Sequence, residues 1–167
     1  RNVVTMDDIK VGSRIMAWYD VVMTSYPGQA HPEHVMLLPG TVLKEGAALT
    51  LELNGEASDV TGRYESGVAM VPVAAVAEAL GFEAKYTPGE TGAMVTVESD
   101  SFTVRLDIAG ERIYGVTKIE GAVGMTGPQE YGKPAYIEAP GTTWAPAETF
   151  TLLGKTVTLD GNTLVIE

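Results

Sequence analysis

Val68-Ala69-Met70-Val71-Pro72-Val73-Ala74-Ala75-Val76-Ala77-Glu78-Ala79-Leu80-Gly81 decides the fold, because an imperfect copy of it recurs downstream. The copy reads Thr142-Thr143-Trp144-Ala145-Pro146-Ala147-Glu148-Thr149-Phe150-Thr151-Leu152-Leu153-Gly154. Each runs from a short apolar strand into a proline, a brief helix, a Leu-Gly stop and an alternating strand. In the first copy Val73, Val76, Ala77 and Leu80 fall at i, i+3, i+4 and i+7, one apolar helical face. The spacing predicts a helix over about 72–80, with Pro72 as its first residue, where a missing N–H costs nothing. Gly81 supplies the left-handed stop. The second copy predicts a helix over about 146–153, one residue shorter, with Ala147, Phe150 and Leu153 inward and Gly154 as its stop.

Around these two units the chain alternates like a sheet. Leu49, Leu51 and Leu53 alternate with polar residues and run into Asn54-Gly55, the dipeptide suited to a type I′ hairpin. The return strand reads as weak, around Glu56 to Val60. Phe82, Ala84 and Tyr86, then Val95-Thr96-Val97, Val104 to Ile108 and Arg112-Ile113-Tyr114 continue as an antiparallel meander. Residues 115–135 are rich in Gly and Pro and read as a long loop, with at most one short strand near Val116 to Ile119. After the second helix, Val157 and Leu159 alternate, Asp160-Gly161 turns, and Thr163 to Ile166 closes the sheet. The class is α+β and strand-dominated: a duplicated antiparallel sheet wrapped on two short helices. Two repeats, 48–115 and 116–167, make up the domain 48–167.

Residues 1–39 read as a partial β-barrel-like segment. Val3-Val4-Thr5, Arg14 to Val22 and His34 to Leu38 give three strands, whereas a small closed barrel takes five. The segment is expected to be incomplete, with its missing strands supplied from upstream, from the rest of the chain or from another molecule. Pro39-Gly40 to Gly46 is the linker. The chain opens on Arg1 without an apolar leader, which is expected either where a targeting segment has been removed or, the favoured reading, in a fragment of a longer chain.

Composition narrows the partners. The formal charge is −11, from 22 acidic and 11 basic side chains, and such a surface repels phosphate backbones and anionic lipid. Nucleic acid and membrane insertion are therefore not expected, and the one apolar run is shorter than the roughly 20 residues a bilayer requires. The absence of cysteine excludes disulfides, thiolate nucleophiles and Cys-ligated zinc.

Few residues offer chemistry. His31 and His34 flank Glu33 in His31-Pro32-Glu33-His34, a set that could hold a divalent metal if the chain curled them together; a polar turn before a strand is the plainer reading. Ser25 lacks the nucleophile-elbow sequence and reads as a turn residue before Pro27. Asp7-Asp8, and Glu98 with Asp100, show neither calcium-loop spacing nor a readable carboxylate separation. Residues 121–132 lack the Lys-Ser/Thr of a phosphate loop. Trp144 stands where the first copy has Met70 and is expected to pack in the core; with Tyr131 it is the alternative platform for a sugar or peptide. No catalytic, cofactor or metal residue is assigned.

Leu51-Glu52-Leu53-Asn54-Gly55, then Val71-Pro72 and Val76-Ala77-Glu78-Ala79-Leu80-Gly81-Phe82, resemble the copper amine oxidase N-terminal-like domain, or stalk domain, over roughly 48–167. The family occurs mainly in secreted and cell-surface proteins of Gram-positive bacteria and uses Val-Pro-Leu-Arg followed by Glu-Ala-Leu-Gly twice. Here its Arg is Ala74 in the first copy and Glu148 in the second, and its Trp-Asp is Tyr86-Thr87. Asp8 to Gly12 and Met23 to Ala30 resemble the end of the OB-like β-domain that often precedes stalk domains. The resemblance implies no copper and no oxidase chemistry, since the stalk lies away from the metal and cofactor. It implies a non-catalytic structural, spacer or interaction module of a secreted or cell-wall-associated bacterial protein. Its partners would be cell-wall glycan, another surface protein, or a second copy through residues 1–39. The alternative is an accessory ligand- or metal-binding domain of an extracellular enzyme using His31, Glu33 and His34.

Overall fold

A computed structural model describes residues 9, 13, 15–18, 22–23, 29–30, 33–37, 43–90, 92–119, 121 and 124–167. Contacts divide the chain into one unit of residues 1–44 and another of 45–167. In the first, β1 (Ile15–Trp18) pairs antiparallel with β4 (His34–Leu37), and β2 (Val22–Met23) with β3 (Gln29–Ala30). The expected strand at Val3 to Thr5, and most of the OB-like reading, lie outside the described residues.

The second unit opens with the hairpin of β5 (Ala48–Leu53) and β6 (Glu56–Glu65). Asn54 and Gly55 turn it with φ of 51° and 81°, the two positive values a type I′ turn demands. The return strand is longer than its weak pattern suggested. The register shifts between Thr50 and Leu51, which oppose Thr61 and Ser58, so a bulge interrupts the alternation and pairing resumes beyond it. Gly62 follows the bulge because a Cβ there would stand 3.0 Å from the Met70 carbonyl oxygen and 3.1 Å from Leu51 Cδ1.

β7 (Val68–Pro72) leads into α1 (Val73–Ala79). Pro72 is the extended N-cap at ψ 108° rather than the first helical residue. Four strands then form a meander: β8 (Glu83–Thr87), β9 (Met94–Glu98), β10 (Phe102–Asp107) and β11 (Arg112–Thr117). The chain returns through β12 (Tyr136–Glu138) and β13 (Thr142–Pro146) to a second helix at Ala147–Leu153, and ends in β14 (Val157–Asp160) and β15 (Thr163–Ile166).

That second helix is 3₁₀, and equals α1 in length at seven residues. Its inward residues Ala147, Phe150 and Leu153 recur every three positions and are all buried, the period at which side chains of a 3₁₀ helix align. Gly154 ends it at φ 82°.

The two sequence copies meet as the second and third strands of a curled seven-stranded sheet ordered β12-β13-β7-β6-β5-β15-β14. β7 pairs antiparallel with β13, matching Met70 to Pro146, Val71 to Ala145 and Pro72 to Trp144. Met70 corresponds to Trp144 and Pro72 to Pro146 in the two copies, so a local two-fold axis passes between Val71 and Ala145. It relates hairpin β6–β7 to hairpin β12–β13 and puts both helices on one face. One pairing departs from the expected antiparallel pattern: β15 lies parallel to β5.

α1 touches β7, β8 and β13, while the 3₁₀ helix touches β7, β10, β11 and β14, so the helices bridge the two sheets. Between them Leu49, Leu51, Val71, Val76, Val97, Leu106, Phe150 and Leu164 are buried. No helix among the described residues is long and apolar enough to cross a membrane.

Candidate functional site

The densest group of interacting polar side chains among the described residues lies on the face of the seven-stranded sheet turned away from this core. Residues two apart on a strand share a face, so Arg63 and Glu65 project outward from β6 while Gly62 and Tyr64 are buried. The ladder sets Tyr136 opposite Trp144 and Trp144 opposite Pro72, bringing two aromatic rings to the same side. Arg63 stands opposite the fully buried Met70. Its guanidinium carbon reaches to 3.7 Å from the centre of the Trp144 ring, close enough for a strong cation–π contact. Arg63 and Trp144 thus lie over Met70.

Carboxylates hold this pair in place. Arg63 Nε lies 2.8 Å from Glu65 Oε1, and its Nη2 donates to Glu138 Oε2 at 2.8 Å. Trp144 Nε1 donates to the same Glu138 oxygen at 3.1 Å. Tyr136 donates its hydroxyl to Glu65 Oε1 at 2.8 Å, and Lys133 pairs with Glu65 Oε2. Burial alone would raise the Glu65 carboxyl, but hydrogen bonds from Lys133 and Tyr136 and the nearby charges outweigh it, leaving it below the usual carboxylate range. The Arg63 hydrogen bond lowers Glu138 likewise. Burial, and then the bond to Glu65, push the Tyr136 phenol up to about 12. Both carboxylates are therefore ionised and the phenol protonated throughout the neutral range. General acid–base catalysis works best with a group whose pKa lies near the working pH, and none of these three is such a group. The cluster braces β6, β12, β13 and the segment carrying Lys133.

The candidates read from sequence lie elsewhere. His34 begins β4 opposite Trp18 and is exposed. Glu33 is also exposed, its N–H donating to the Trp18 carbonyl at 2.8 Å. His31, Ser25, Asp7 and Asp8 lie outside the described residues. Glu98 pairs with Lys118 at 3.1 Å, and Asp100 lies in the β9–β10 turn. Among the described residues no three His, Asp or Glu side chains gather as a metal site would require. Tyr131 is half-buried. Trp144, expected in the core, is also half-buried, its ring face taken by Arg63. Arg63, Glu65, Lys133, Tyr136 and Glu138 escaped the sequence reading. Their only local signal is the i, i+2 spacing of Arg63 with Glu65 and of Tyr136 with Glu138, which gains meaning once β6 and β12 share a sheet.

Neither the curated proteins nor the solved structures supply a match to this chain. The family model for the copper amine oxidase N-terminal domain matches residues 52–167, which take in both sequence copies and every member of the cluster. That domain is a non-catalytic accessory part of copper amine oxidases. A match over well more than half of the sequence shows that the chain belongs to the copper amine oxidase N-terminal domain family.

Proposed function

We propose that this chain is a non-catalytic spacer or interaction module of a secreted or cell-wall-associated bacterial protein, holding partners together or apart. The observation that carries this reading is the Arg63–Trp144 cluster. The most elaborate polar arrangement among the described residues spends its charges on one another, as a brace does. Family membership agrees, and a surface of formal charge −11 suits a protein that must stay soluble at a cell boundary. Cell-wall glycan or another surface protein would be the partner.

Two measurements on the purified chain test this. Pull-down with isolated cell-wall glycan, and with surface proteins of the producing cell, is expected to retain it, while assays for amine oxidation and for glycoside or peptide hydrolysis are expected to show no turnover. Robust turnover would overturn the reading. So would a zinc- or copper-dependent rise in melting temperature that disappears when His31 and His34 are both replaced by Ala, since that marks a metal-binding domain.

A further inference from the structure

The four-stranded sheet is ordered β11-β10-β9-β8, which places β8 at its edge. β8 pairs with β9 along all five residues, and among the described residues no strand pairs with its other side. An open edge is a template for another strand. Its inner face is also unfinished. Tyr86 stands opposite Val95, on the side that faces the core, yet Val95 is 4% exposed and Tyr86 60%. A groove of about 360 Å³ adjoins it, lined by Ala74, Ala75 and Ala84 together with Thr142, Thr143 and Tyr86 itself.

We propose that a second copy of this chain occupies this edge, β8 pairing antiparallel with β8 about a two-fold axis through Ala84. The charge pattern selects both the occupant and the register. A two-fold axis normal to the sheet keeps each copy's faces aligned, so facing residues must differ by an even number of positions. Centring on Ala84 sets Glu83 of each copy opposite Lys85 of the other, giving two cross-strand ion pairs, and brings Tyr86 beside Phe82. Centring on Lys85 sets two ammonium groups face to face, which is destabilising. Centring on Tyr86 puts Lys85 opposite Thr87 and Glu83 opposite Gly89, so neither charge gains a partner. The lysine that would otherwise guard an edge against pairing thus rejects one register and favours another. Lys85 Nζ already lies 3.3 Å from Glu83 Oε1 within its own strand, so the same two groups exchange partners across the axis. The result is a continuous eight-stranded sheet with both Tyr86 rings covered.

Within β8 only Glu83 to Lys85 face β8 of the other copy, and Phe82, whose N–H already donates to the Ala77 carbonyl, extends the match against Tyr86. For so small an interface the dissociation constant is expected to be on the order of 100 μM. Sedimentation equilibrium of the full chain should show a concentration-dependent dimer. Glu83→Lys and Lys85→Glu, both at exposed positions, should each weaken it about tenfold. Mixing the two variants should restore dimerisation, because a strand carrying two lysines then faces a strand carrying two glutamates. Repair within a single strand cannot produce that result. The chain has no cysteine, so Ala84→Cys should oxidise to a disulfide-linked dimer. A wild-type chain that stays monomeric at millimolar concentration would overturn the proposal. So would a dimer indifferent to both single substitutions, a mixture that fails to associate, or an edge that takes up only a peptide of other sequence.

Discussion

Tyr136 and Glu65 share one hydrogen bond but respond to pH from opposite ends. The Glu65 carboxyl is lowered from 4.5 in the folded protein. Its contribution to stability is therefore fully present above pH 4.5 and lost as pH falls through the depressed value. The Tyr136 phenol is raised from 10.0 to about 12, so its contribution is complete below pH 10 and lost as pH rises toward 12. Burial also raises the Tyr64 phenol, so ultraviolet titration should show late-ionising tyrosines, and Tyr136→Phe should remove the part that titrates near 12. Glu65→Gln should flatten the loss of stability below pH 4.5. A late component that Tyr136→Phe leaves unchanged would show that the bond to Glu65 does not hold in solution. Thr149 poses a different residue-scale problem, since its hydroxyl is buried without a hydrogen-bond partner among the described residues. Thr149→Val keeps the shape and removes the stranded group, so denaturant unfolding should show a gain of about 1 kcal/mol. Neither effect was legible in the sequence, where Thr149 is one polar residue in an apolar turn and Tyr136 lies 71 positions from Glu65.

The two helices show what a repeat preserves and what it lets drift. Both start after a proline, both run seven residues and both lead into a left-handed glycine, Gly81 at φ 80° and Gly154 at φ 82°. A Cβ would meet nothing within 4 Å at either position, so glycine is required by backbone conformation alone. Gly81→Ala and Gly154→Ala should each cost about 1 kcal/mol in thermal unfolding, and near-equal penalties are the specific expectation. Phe150→Ala should cost about 3–5 kcal/mol, because that ring fills the turn where the 3₁₀ helix bridges β7, β10 and β11. The elements themselves were largely readable: the Asn54-Gly55 hairpin, both helices and the meander follow from local chemistry. The unread parts have physical causes. Ser58-Asp59-Val60 broke the period of β6 because a bulge lies there. The three-residue spacing of Ala147, Phe150 and Leu153 fits a 3₁₀ turn and the i, i+3 face of an α-helix alike, so it does not by itself fix the helix type. The parallel partnership of β15 with β5 joins residues more than a hundred positions apart, beyond any local pattern.

At the scale of the molecule, the chief question is which part of the chain folds by its own means. Residues 45–167 hold both sequence copies, both helices and both larger sheets, and their buried side chains come from every layer: Leu49 and Leu164, Val71 and Ala145, Val76 and Phe150, Val97 and Leu106. By contrast, the described strands of residues 1–44 form two two-stranded ladders, β1 with β4 and β2 with β3. There Ile15, Met16, Trp18 and Met36 are exposed. Removing residues 1–40, which spares the buried Leu43, should therefore leave a domain that unfolds in one cooperative transition. Its far-ultraviolet dichroism should keep the strand signature, and its melting temperature should fall by no more than about 4 °C, equivalent to roughly 1 kcal/mol for a domain of this size. Broad, non-cooperative melting of the truncated chain would instead mean that the core around Val71 and Phe150 needs residues before Leu43. The two-fold pairing of β7 with β13 would then be insufficient to organise the domain, because its centre would lack support from within residues 45–167.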